Sequence, residues 1–455
     1  MYMGLKTNMM MGNTLTSSNR KIRAFTFLGF SAIAAILIFW NVILAYLMID
    51  KLHMNDFGKF FYSIVAYLEG GEMYGPNPAT FVVLNSLFGQ QFWNLNPPHF
   101  HLPLLPLGLL SPKVALTIWM ALNLICLVAS VHLIGKELDW TPTSWQSRFL
   151  FLGLLAFCGT GAFFVTGQLS FLLLFPLTIG WIQARNSHWA KAGIFLGLAC
   201  AIKPFLLIFI PYLLIKKKFL ALSNLTLICT FAYSVGLIAF GQQIYWQWIE
   251  KLLLVDWSWA SMNASVLGLF SRTFQENPSY TPILDSSNIV RLLWFIFSGL
   301  IASITFYVLY KDHSKHSIDR AFAFLIIAAI LISPLGWIYY LFFPIGPLTA
   351  IIYQGVKSRA SFNDPASLPL IKTRNRLVVF ATVGYLIPLQ VLQIFQPAVW
   401  ATFTIGSIYC WCTLAVWMSL LLDWQIGTTS NQECTSTEQI TPNSMLDLNP
   451  RMVRM

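Results

Sequence analysis

Residues 24–62 read AFTFLGFSAIAAILIFWNVILAYLMIDKLHMNDFGKFFY, an uncharged apolar run of 26 residues followed at once by a polar segment. A helix needs about 20 apolar residues to cross a bilayer, because the hydrocarbon core is about 30 Å thick and each residue rises about 1.5 Å. The run is too long for a cleavable signal peptide and ends without a small-residue cleavage site. It therefore predicts a first membrane-spanning helix.

Apolar runs of this kind recur along the whole chain. Hydrophobic residues make up 57% of the sequence, charged residues only 10%, and the mean hydropathy is +0.66, whereas soluble domains are about 25% charged. Backbone amides find no water inside lipid, so the spans must be helices. The sequence predicts an all-α integral membrane bundle of about twelve helices over residues 24–422. The predicted spans are about 24–49, 114–135, 148–166, 169–184, 192–202, 205–215, 219–240, 290–310, 321–332, 336–353, 377–394 and 398–422.

The distribution of Lys and Arg predicts the orientation. Twelve crossings place both ends in the cytoplasm, with an N-terminal segment 1–23 and a polar, disordered tail 423–455. Of the 28 basic residues, 7 then lie outside and 21 inside, as cytoplasmic loops require. The loops 50–113 and 242–289 lie outside, and loops of that length usually carry function. The basic residues placed outside are Lys51, Lys59, Lys113, Lys203, Lys251, Arg272 and Arg291.

Two segments leave the number of crossings open. Residues 97–111 are apolar but short and broken by prolines, and they are interpreted as a juxtamembrane helix at the outer surface. Residues 192–215 could form one span instead of two half-length ones. The pair Lys203-Pro204 favours a break, because proline removes a backbone donor and disfavours helix in the residue before it. If residues 97–111 were a span and residues 192–215 a single span, the two long loops would still lie outside, and 18 basic residues would lie inside.

The net charge of +11 does not indicate nucleic-acid binding. Basic residues lie in short tracts between apolar runs, such as Lys216, Lys217 and Lys218, which is the pattern of cytoplasmic loops. None of the seven cysteines lies in the long outer loops, so they predict neither a disulfide framework nor a metal cluster. We expect no cofactor.

The polar segment after the first span contains the best candidate for catalysis. Asp56 lies a few residues beyond the hydrocarbon, where a carboxylate can stay ionised in a half-dry cleft and take a proton from a hydroxyl. The alternative is that Asp56 only begins a short helix, as a cap on the amides of residues 58 and 59. The residues alone leave both interpretations open.

Lys203 is the residue whose placement in the membrane is expected to cost the most free energy. A cation near the membrane interior costs about 2.5–3.5 kcal/mol, so a partner or a use is expected. A lipid-phosphate oxyanion in the outer half of the bilayer would supply one. The alternative is that Lys203 extends its ammonium group to the nearby surface.

The remaining candidates lie in or beside the predicted outer segments. His99 could contact a phosphate or a sugar hydroxyl, or be merely interfacial, and Gln168 could point an amide into a cleft or only fill a tight turn. The aromatic faces of Trp257 and Trp259 suit a sugar ring, and the planar guanidinium of Arg272 suits a phosphate group. The alternative for the tryptophan pair is that it anchors the chain at the membrane interface. The candidate substrate-binding residues are Tyr74, His99, Gln168, Asn263, Ser265, Trp337 and Tyr340.

In chain order these landmarks resemble glycosyltransferase family 87, a bacterial family of polyprenyl-phosphate-dependent enzymes of the GT-C fold group that includes mycobacterial mannosyltransferases. The resemblance covers about residues 24–345. Some members carry histidine after the tryptophan of the last motif, where this chain has Ile338, Tyr339 and Tyr340, so no phosphate-binding histidine carries over. The matching motifs are Asp56-Phe57, Gly70-(x)3-Tyr74, Pro97-Pro98, Gly167-Gln168, Gly193-(x)9-Lys203-Pro204, Asn263-x-Ser265-(x)6-Arg272 and Ser333-Pro334-(x)2-Trp337.

The resemblance implies that Asp56 is the catalytic aspartate and that Lys203 lies near the donor phosphate, with Arg272 as a second phosphate candidate from its chemistry. The expected function is inverting transfer of a hexose, mannose first, from a polyprenyl-phosphate donor to a lipid or glycan hydroxyl. The reaction would occur on the extracytoplasmic face of a bacterial inner membrane. The alternatives are a transporter or lipid-linked glycan flippase, and an oligosaccharide ligase or polymerase that consumes a pyrophosphate-linked donor.

Overall fold

The computed structural model describes residues 28–47, 55–76, 93–141, 144–255, 257–358, 368–396 and 398–438. These residues are largely helical, and the strand-like pairing among them is an isolated bridge between Asn263 and Trp337. The predicted all-α class is confirmed. The predicted segment 1–23 and the end of the predicted tail, 439–455, lie outside the described residues.

Most of the described chain consists of α-helices. The described residues also contain four segments of 3-10 helix, at Leu102–Leu109, Pro204–Ile208, Ile338–Tyr340 and Ile405–Ser407. The α-helices are α1 (Leu28–Leu47), α2 (Asn55–Leu68), α3 (Pro98–His101), α4 (Pro112–Glu137), α5 (Trp145–Ala156), α6 (Cys158–Thr166), α7 (Ser170–Arg185), α8 (Trp189–Ile202), α9 (Phe209–Ile215), α10 (Phe219–Phe240), α11 (Gln242–Leu253), α12 (Val266–Phe274), α13 (Ser287–Lys311), α14 (Ser317–Ile332), α15 (Ile345–Ser358), α16 (Leu368–Tyr385), α17 (Leu389–Phe395), α18 (Val399–Phe403) and α19 (Ile408–Glu438).

Five stretches of the described chain are long and apolar enough to cross a membrane. They are α1, α4, α10, α13 and Val399–Gly427, which joins α18 to the first part of α19. Two bent pairs, α5 with α6 at 54° and α16 with α17 at 85°, raise the number to seven if each pair is one span. Helices α7, α8 and the segment Pro204–Ile215 are apolar but shorter. The predicted count of twelve crossings is therefore not confirmed.

The structure corrects three predicted boundaries. The span predicted at 377–394 begins at Leu368 and bends sharply before α17, because Pro388 takes an extended conformation that ends the first helix. The span predicted at 336–353 begins only at Ile345, after a turn that contains the 3-10 segment Ile338–Tyr340. The tail predicted to be disordered from Asp423 instead continues α19 to Glu438, and two arginines from other helices hold the Asp423 carboxylate.

Helix α14 lies at the centre of the bundle. Every residue from Asp319 to Leu331 is buried, as expected of a helix that is apolar on all sides. At its N-terminal end, Arg185 pairs with Asp319 at 3.0 Å and with Glu137 at 2.7 Å. Since α14 has 16 residues, its two ends lie about 24 Å apart. The ion pairs thus hold the N-terminal end of α14 in place, and the turn at residues 333–340 follows its C-terminal end.

Close helix packing sets the break in the middle of the chain. Helix α8 crosses α10 at Gly193, where an added Cβ atom would lie 2.2 Å from the Ala221 carbonyl oxygen. Small residues of this kind let two helix backbones approach closely in membranes. Helix α8 then ends at Ile202, and Pro204 begins a 3-10 segment, so the predicted break at Lys203 is present.

The two long predicted outer loops fold into short helices. The first contains α2, α3 and the 3-10 segment Leu102–Leu109, and the second contains α11 and α12. Residues 97–111 form elements too short to cross a bilayer, and their juxtamembrane position stays a prediction. Parts of both loops face one cavity.

Candidate active site

A mostly apolar cavity that contains several charged and amide side chains lies where the two long loops meet the bundle. It holds about 1340 Å³ of space including its open mouth, and its walls come from α2, the break after α8, the turn at residues 333–340 and α17. Ligand sites commonly combine apolar and aromatic walls with a few convergent polar groups. The charged and amide residues on the wall are Asp56, Lys59, Asn96, Gln168, Lys203, Gln393 and Gln396, and its aromatic residues include Trp93, Trp257, Trp259, Trp337, Tyr339 and Tyr340.

Asp56 has a partner on each carboxylate oxygen. Lys59, one turn later in α2, donates from Nζ to Oδ1 at 2.8 Å, and the Nε2 amide of Gln168 donates to Oδ2. Residues three apart in a helix lie on one face, which is why α2 presents both charges to the cavity. The Asp56 side chain is 15% exposed and the Lys59 side chain 9%. An ionised carboxylate has about four acceptor positions, so Asp56 can still accept from a substrate hydroxyl.

Gln168 reaches Asp56 because α6 ends immediately before it. Gly167 takes a left-handed conformation with φ of 68°, which a glycine adopts without strain and which ends the helix. The Trp119 indole donates to the Gly167 carbonyl at 2.8 Å and fixes the turn. The Gln168 amide also donates to the Tyr339 hydroxyl at 3.1 Å, so the turn joins the wall at 333–340.

Lys203 faces the same cavity from the break after α8. Its Nζ donates to Asn96 Oδ1 at 2.8 Å and lies 5.6 Å from the centre of the Tyr340 ring. Both partners are neutral, and within the described part of the chain no carboxylate forms an ion pair with Lys203. The Lys203 ammonium group is thus held by the Asn96 amide oxygen and the face of the Tyr340 ring. Because neither group is negatively charged, the ammonium group can still pair with an anion.

Asn96 is held by a buried network behind the cavity. Asn94 accepts from the Asn96 backbone amide at 3.1 Å and donates to Ser63 Oγ at 2.9 Å. Asn94 also lies 2.8 Å from His101 Nε2. Burial lowers the pKa of His101 to about 3, so its ring is neutral at pH 7 and can accept from the amide. The Tyr74 hydroxyl donates to the Asn96 carbonyl at 2.5 Å.

Tyr74 and His99, predicted as substrate-binding residues, do not line the cavity. Tyr74 is buried and its hydroxyl is used by the Asn96 backbone. His99 Nε2 lies 2.8 Å from the Ala201 carbonyl and Nδ1 lies 3.1 Å from the Tyr245 hydroxyl. Both ring nitrogens therefore tie α3 to the end of α8 and to α11. These side chains support Lys203 and Asn96 from behind.

Asn263 and Ser265 are also structural. The Asn263 side chain donates to the carbonyls of Ser258 at 2.8 Å and Pro334 at 2.9 Å, and it accepts from the amides of Ser265 at 3.1 Å and Gly336 at 2.9 Å. All positions of the amide are then occupied. Ser265 Oγ caps α12 by accepting from the Gly268 amide at 3.1 Å. Asn263 fastens the second loop to the turn at residues 333–340 and does not line the cavity.

Arg272, predicted to bind the donor phosphate, is fully buried away from the cavity. Its guanidinium donates to Ser407 Oγ at 3.0 Å and to the carbonyls of Ala260 at 2.8 Å and Asn263 at 3.2 Å. A buried loop must satisfy its own carbonyl groups, and the arginine fork supplies the donors. The prediction is corrected because backbone oxygens take the place that a phosphate would need.

Five of the ten predicted residues thus line the cavity, namely Asp56, Lys203, Gln168, Trp337 and Tyr340. Among the cavity residues that were not predicted from the sequence are Lys59, Asn96, Tyr339, Gln393 and Gln396. The spacing of Lys59 three residues after Asp56 was a usable signal. Nothing local pointed to Gln393 or Gln396, since the bend at Pro388 decides where α17 lies.

These features define a polytopic membrane protein whose two long loops enclose a cavity with a carboxylate and an amide-held cation. Within the described residues, no group of three or more His, Cys, Asp or Glu side chains could hold a metal ion. The sequence model of glycosyltransferase family 87 matches residues 94–334, just over half of the 455 residues. The chain belongs to glycosyltransferase family 87 and is a membrane glycosyltransferase.

The matched region includes Gln168 and Lys203, whereas Asp56 and α17 lie outside it. No curated protein and no solved structure matches the chain. The finer features of the reaction therefore follow from the cavity itself.

Proposed function

We propose that this glycosyltransferase moves a hexose from a polyprenyl-phosphate donor to a hydroxyl of a lipid or glycan acceptor, with inversion at the anomeric carbon. The observation that carries the proposal is that Asp56 and Lys203 line one cavity. Mannose is the first sugar to test, by resemblance to the mannosyltransferases of the family. The cavity would face the extracytoplasmic side of a bacterial inner membrane, in agreement with the bias of basic residues to the other side.

Asp56 acts as the general base. Its carboxylate takes the proton of the acceptor hydroxyl, and that oxygen forms a bond to the anomeric carbon from the side opposite the phosphate. Lys59 and Gln168 hold the two carboxylate oxygens in fixed positions, which places the base within hydrogen-bond reach of an entering hydroxyl. General-base catalysis of this kind contributes about 10²- to 10⁴-fold.

Lys203 binds the phosphate of the donor. As the bond between the anomeric carbon and the phosphate oxygen breaks, the electron pair stays on that oxygen and the lipid leaves as a phosphate monoester. The phosphate then carries one more negative charge than in the donor. A cation already held by Asn96 and Tyr340 stabilises this developing charge without rearranging.

The test uses purified protein, radiolabelled polyprenyl-phosphate mannose and a membrane-lipid extract as the acceptor mixture. Asp56→Asn keeps the size of the side chain and removes the base, so we expect transfer to fall at least 100-fold. Asp285→Asn is the matched control, because Asp285 accepts from the Glu276 amide in the second loop and does not line the cavity. Transfer at the wild-type rate by folded Asp56→Asn protein would rule out this mechanism.

A second variant tests the phosphate role separately. Lys203→Gln removes the charge but keeps a polar group beside Asn96, so we expect a KM for the labelled donor at least tenfold higher. Lys251→Gln is the control, because Lys251 lies 4.1 Å from the Trp93 ring and does not itself line the cavity. An unchanged donor KM in Lys203→Gln would remove Lys203 from the donor site.

A further inference from the structure

The α17 segment brings amides to the cavity that the proposed chemistry does not use. Helix α17 reads LQVLQIF and is followed by Gln396, so glutamines recur every third residue and share one side of the segment. Gln393 and Gln396 line the cavity. Gln390 instead lies at a separate small pocket, where it accepts from the Trp40 indole at 3.4 Å. An otherwise apolar segment thus contributes two amide side chains to the cavity that Asp56 also lines.

The two cavity amides differ in how they are held. Gln396 donates from Nε2 to Ser261 Oγ at 2.9 Å, and Ser261 shares a hydrogen bond of 2.7 Å with the Tyr280 hydroxyl. Gln393 is an exposed residue that lines the cavity, and its side chain makes no hydrogen bond to the described residues. Each amide offers donors and an acceptor, which suits hydroxyl groups that both donate and accept.

Contacts connect Asp56 to these amides along one side of the cavity. Lys59, which pairs with Asp56, lies 5.9 Å from the centre of the Trp257 ring. Trp257 begins the loop that carries Ser261, the partner of Gln396. Trp257 and Ser261 also line the cavity. The Trp257 indole and the Gln396 amide are therefore connected to the base, and Gln393 lines the same cavity.

A different set of contacts connects Asp56 to the cation. Gln168 donates to Asp56 and to the Tyr339 hydroxyl, and the Tyr339 ring lies 5.0 Å from the Tyr340 ring. Tyr340 in turn faces Lys203. Asp56 is thus connected to Lys203 through Gln168 and the two tyrosines, and to Gln396 through Lys59 and the segment from Trp257 to Ser261. In a transfer reaction the base contacts the acceptor, and the leaving phosphate lies on the opposite side of the anomeric carbon.

We propose that Gln393 and Gln396, which line the cavity together with Trp257, form the acceptor subsite and determine specificity by binding hydroxyl groups of a carbohydrate acceptor. This inference rests on the proposed function, because it takes the Lys203 side as the donor side. A sugar ring offers several hydroxyls to the two amides and an apolar face to the indole ring. Sites built to bind a hydroxyl discriminate strongly against analogues that lack it.

The experiment uses the full chain in lipid nanodiscs and three acceptor probes: hexyl α-mannoside, hexyl α-glucoside and 1-O-hexylglycerol. The first readout is transfer from labelled polyprenyl-phosphate mannose, with separate KM values for donor and acceptor. The second is binding of each probe without donor, followed by quenching of tryptophan fluorescence. Gln393→Leu and Gln396→Leu are compared with Gln390→Leu, the same change in the same helix outside the cavity.

We expect at least one hexoside to be preferred over hexylglycerol. Each cavity variant should weaken its binding and raise the acceptor KM about tenfold, with the donor KM and the Gln390→Leu control within twofold of wild type. Unchanged acceptor binding and KM in both cavity variants would overturn the subsite while leaving the proposed function intact. Equal use of hexylglycerol would overturn the carbohydrate class. If no transfer occurs at all, the proposed function fails, and the binding readout still decides the subsite.

Discussion

The Nε2 amide of Gln168 donates a hydrogen bond to Oδ2 of Asp56, although the two residues are 112 positions apart in the chain. The bond joins the start of the first outer loop to the turn between α6 and α7. The same amide donates to the Tyr339 hydroxyl at 3.1 Å, so three distant segments meet at one side chain. Gln168 is therefore a positioning residue for the proposed base.

Gln168→Leu should lower kcat about 10- to 100-fold and change the donor KM by less than threefold. A hydrogen bond to a charged group is worth about 1.5–3 kcal/mol, and its loss leaves the carboxylate free to turn away. Gln354→Leu is the matched control, because Gln354 also donates to an aspartate, Asp319, at 3.3 Å but near the opposite end of α14. Steady-state kinetics with labelled donor would measure both variants. A kcat within twofold of wild type in Gln168→Leu would contradict the positioning role.

Arg272→Lys should destabilise the protein and leave donor binding unchanged. The lysine keeps the charge but cannot reach Ser407 and the loop carbonyls together, so buried acceptors lose their donors. We expect a loss of about 3 kcal/mol in the free energy of unfolding, seen as a lower thermal midpoint in detergent. Arg291→Lys, at an exposed position of α13, is the control. A changed donor KM with an unchanged midpoint would restore Arg272 to the phosphate site.

The stability of the outer segments should fall as the pH drops below about 6.5, and His101 should account for part of the loss. Burial lowers the pKa of His101 to about 3 in the folded protein, whereas the unfolded chain takes up the proton near 6.5. The stabilisation is therefore complete above 6.5 and is lost progressively as the pH falls toward 3. At pH 5 the loss from this residue is about 2 kcal/mol.

His101→Gln keeps an acceptor for Asn94 and removes the titrating group. Thermal midpoints at pH 7.5 and pH 5 should differ less in this variant than in wild type. His99 retains a pKa that burial lowers, so part of the dependence persists. The same midpoint difference in variant and wild type would show that His101 is not neutral and buried in the folded state.

Gly193→Ala should destabilise the crossing of α8 and α10 by about 1–3 kcal/mol. The new Cβ atom would lie 2.2 Å from the Ala221 carbonyl oxygen, and neither backbone can yield without moving the helix that leads to Lys203. Gly299→Ala in α13 is the control, since nothing lies within 4 Å of the added atom and alanine favours a helix. We expect a lower midpoint and slower transfer for Gly193→Ala only. Equal midpoints for the two variants would contradict the tight crossing.

Several elements could be located from the sequence with small errors. The spans predicted at 114–135, 219–240 and 290–310 correspond to α4, α10 and α13. Their limits follow from local apolar composition, because lipid and bundle alike require an apolar surface along the whole helix. The break at Lys203 was predictable for a similar reason, since proline acts on its own residue and the one before it.

The candidate site was less predictable, because an outer-loop side chain can face either a cavity or its own backbone. Asn263 and Arg272 have the chemistry of ligand-binding residues, yet both bind carbonyl groups that the folded loop buries. Sequence spacing cannot show which carbonyls will need a donor. Lys59 and Gln396 show the reverse case, because neither belongs to a motif and yet both line the cavity. Lys59 lies one turn after Asp56 on the same face of α2, and Gln396 follows the bend at Pro388.

The sequence by itself determined that this chain is a helical membrane protein, where its long apolar helices lie, and that Asp56 and Lys203 are unusual charges beside them. Composition and proline chemistry act locally, so no knowledge of the fold was required. Only the tertiary structure decided that Gln168 and Asn96 hold these two charges, and that Arg272 and Asn263 hold the loops instead. The contacts of Gln168 with Asp56 and of Asn96 with Lys203 join segments more than a hundred residues apart, which meet only when the helices pack.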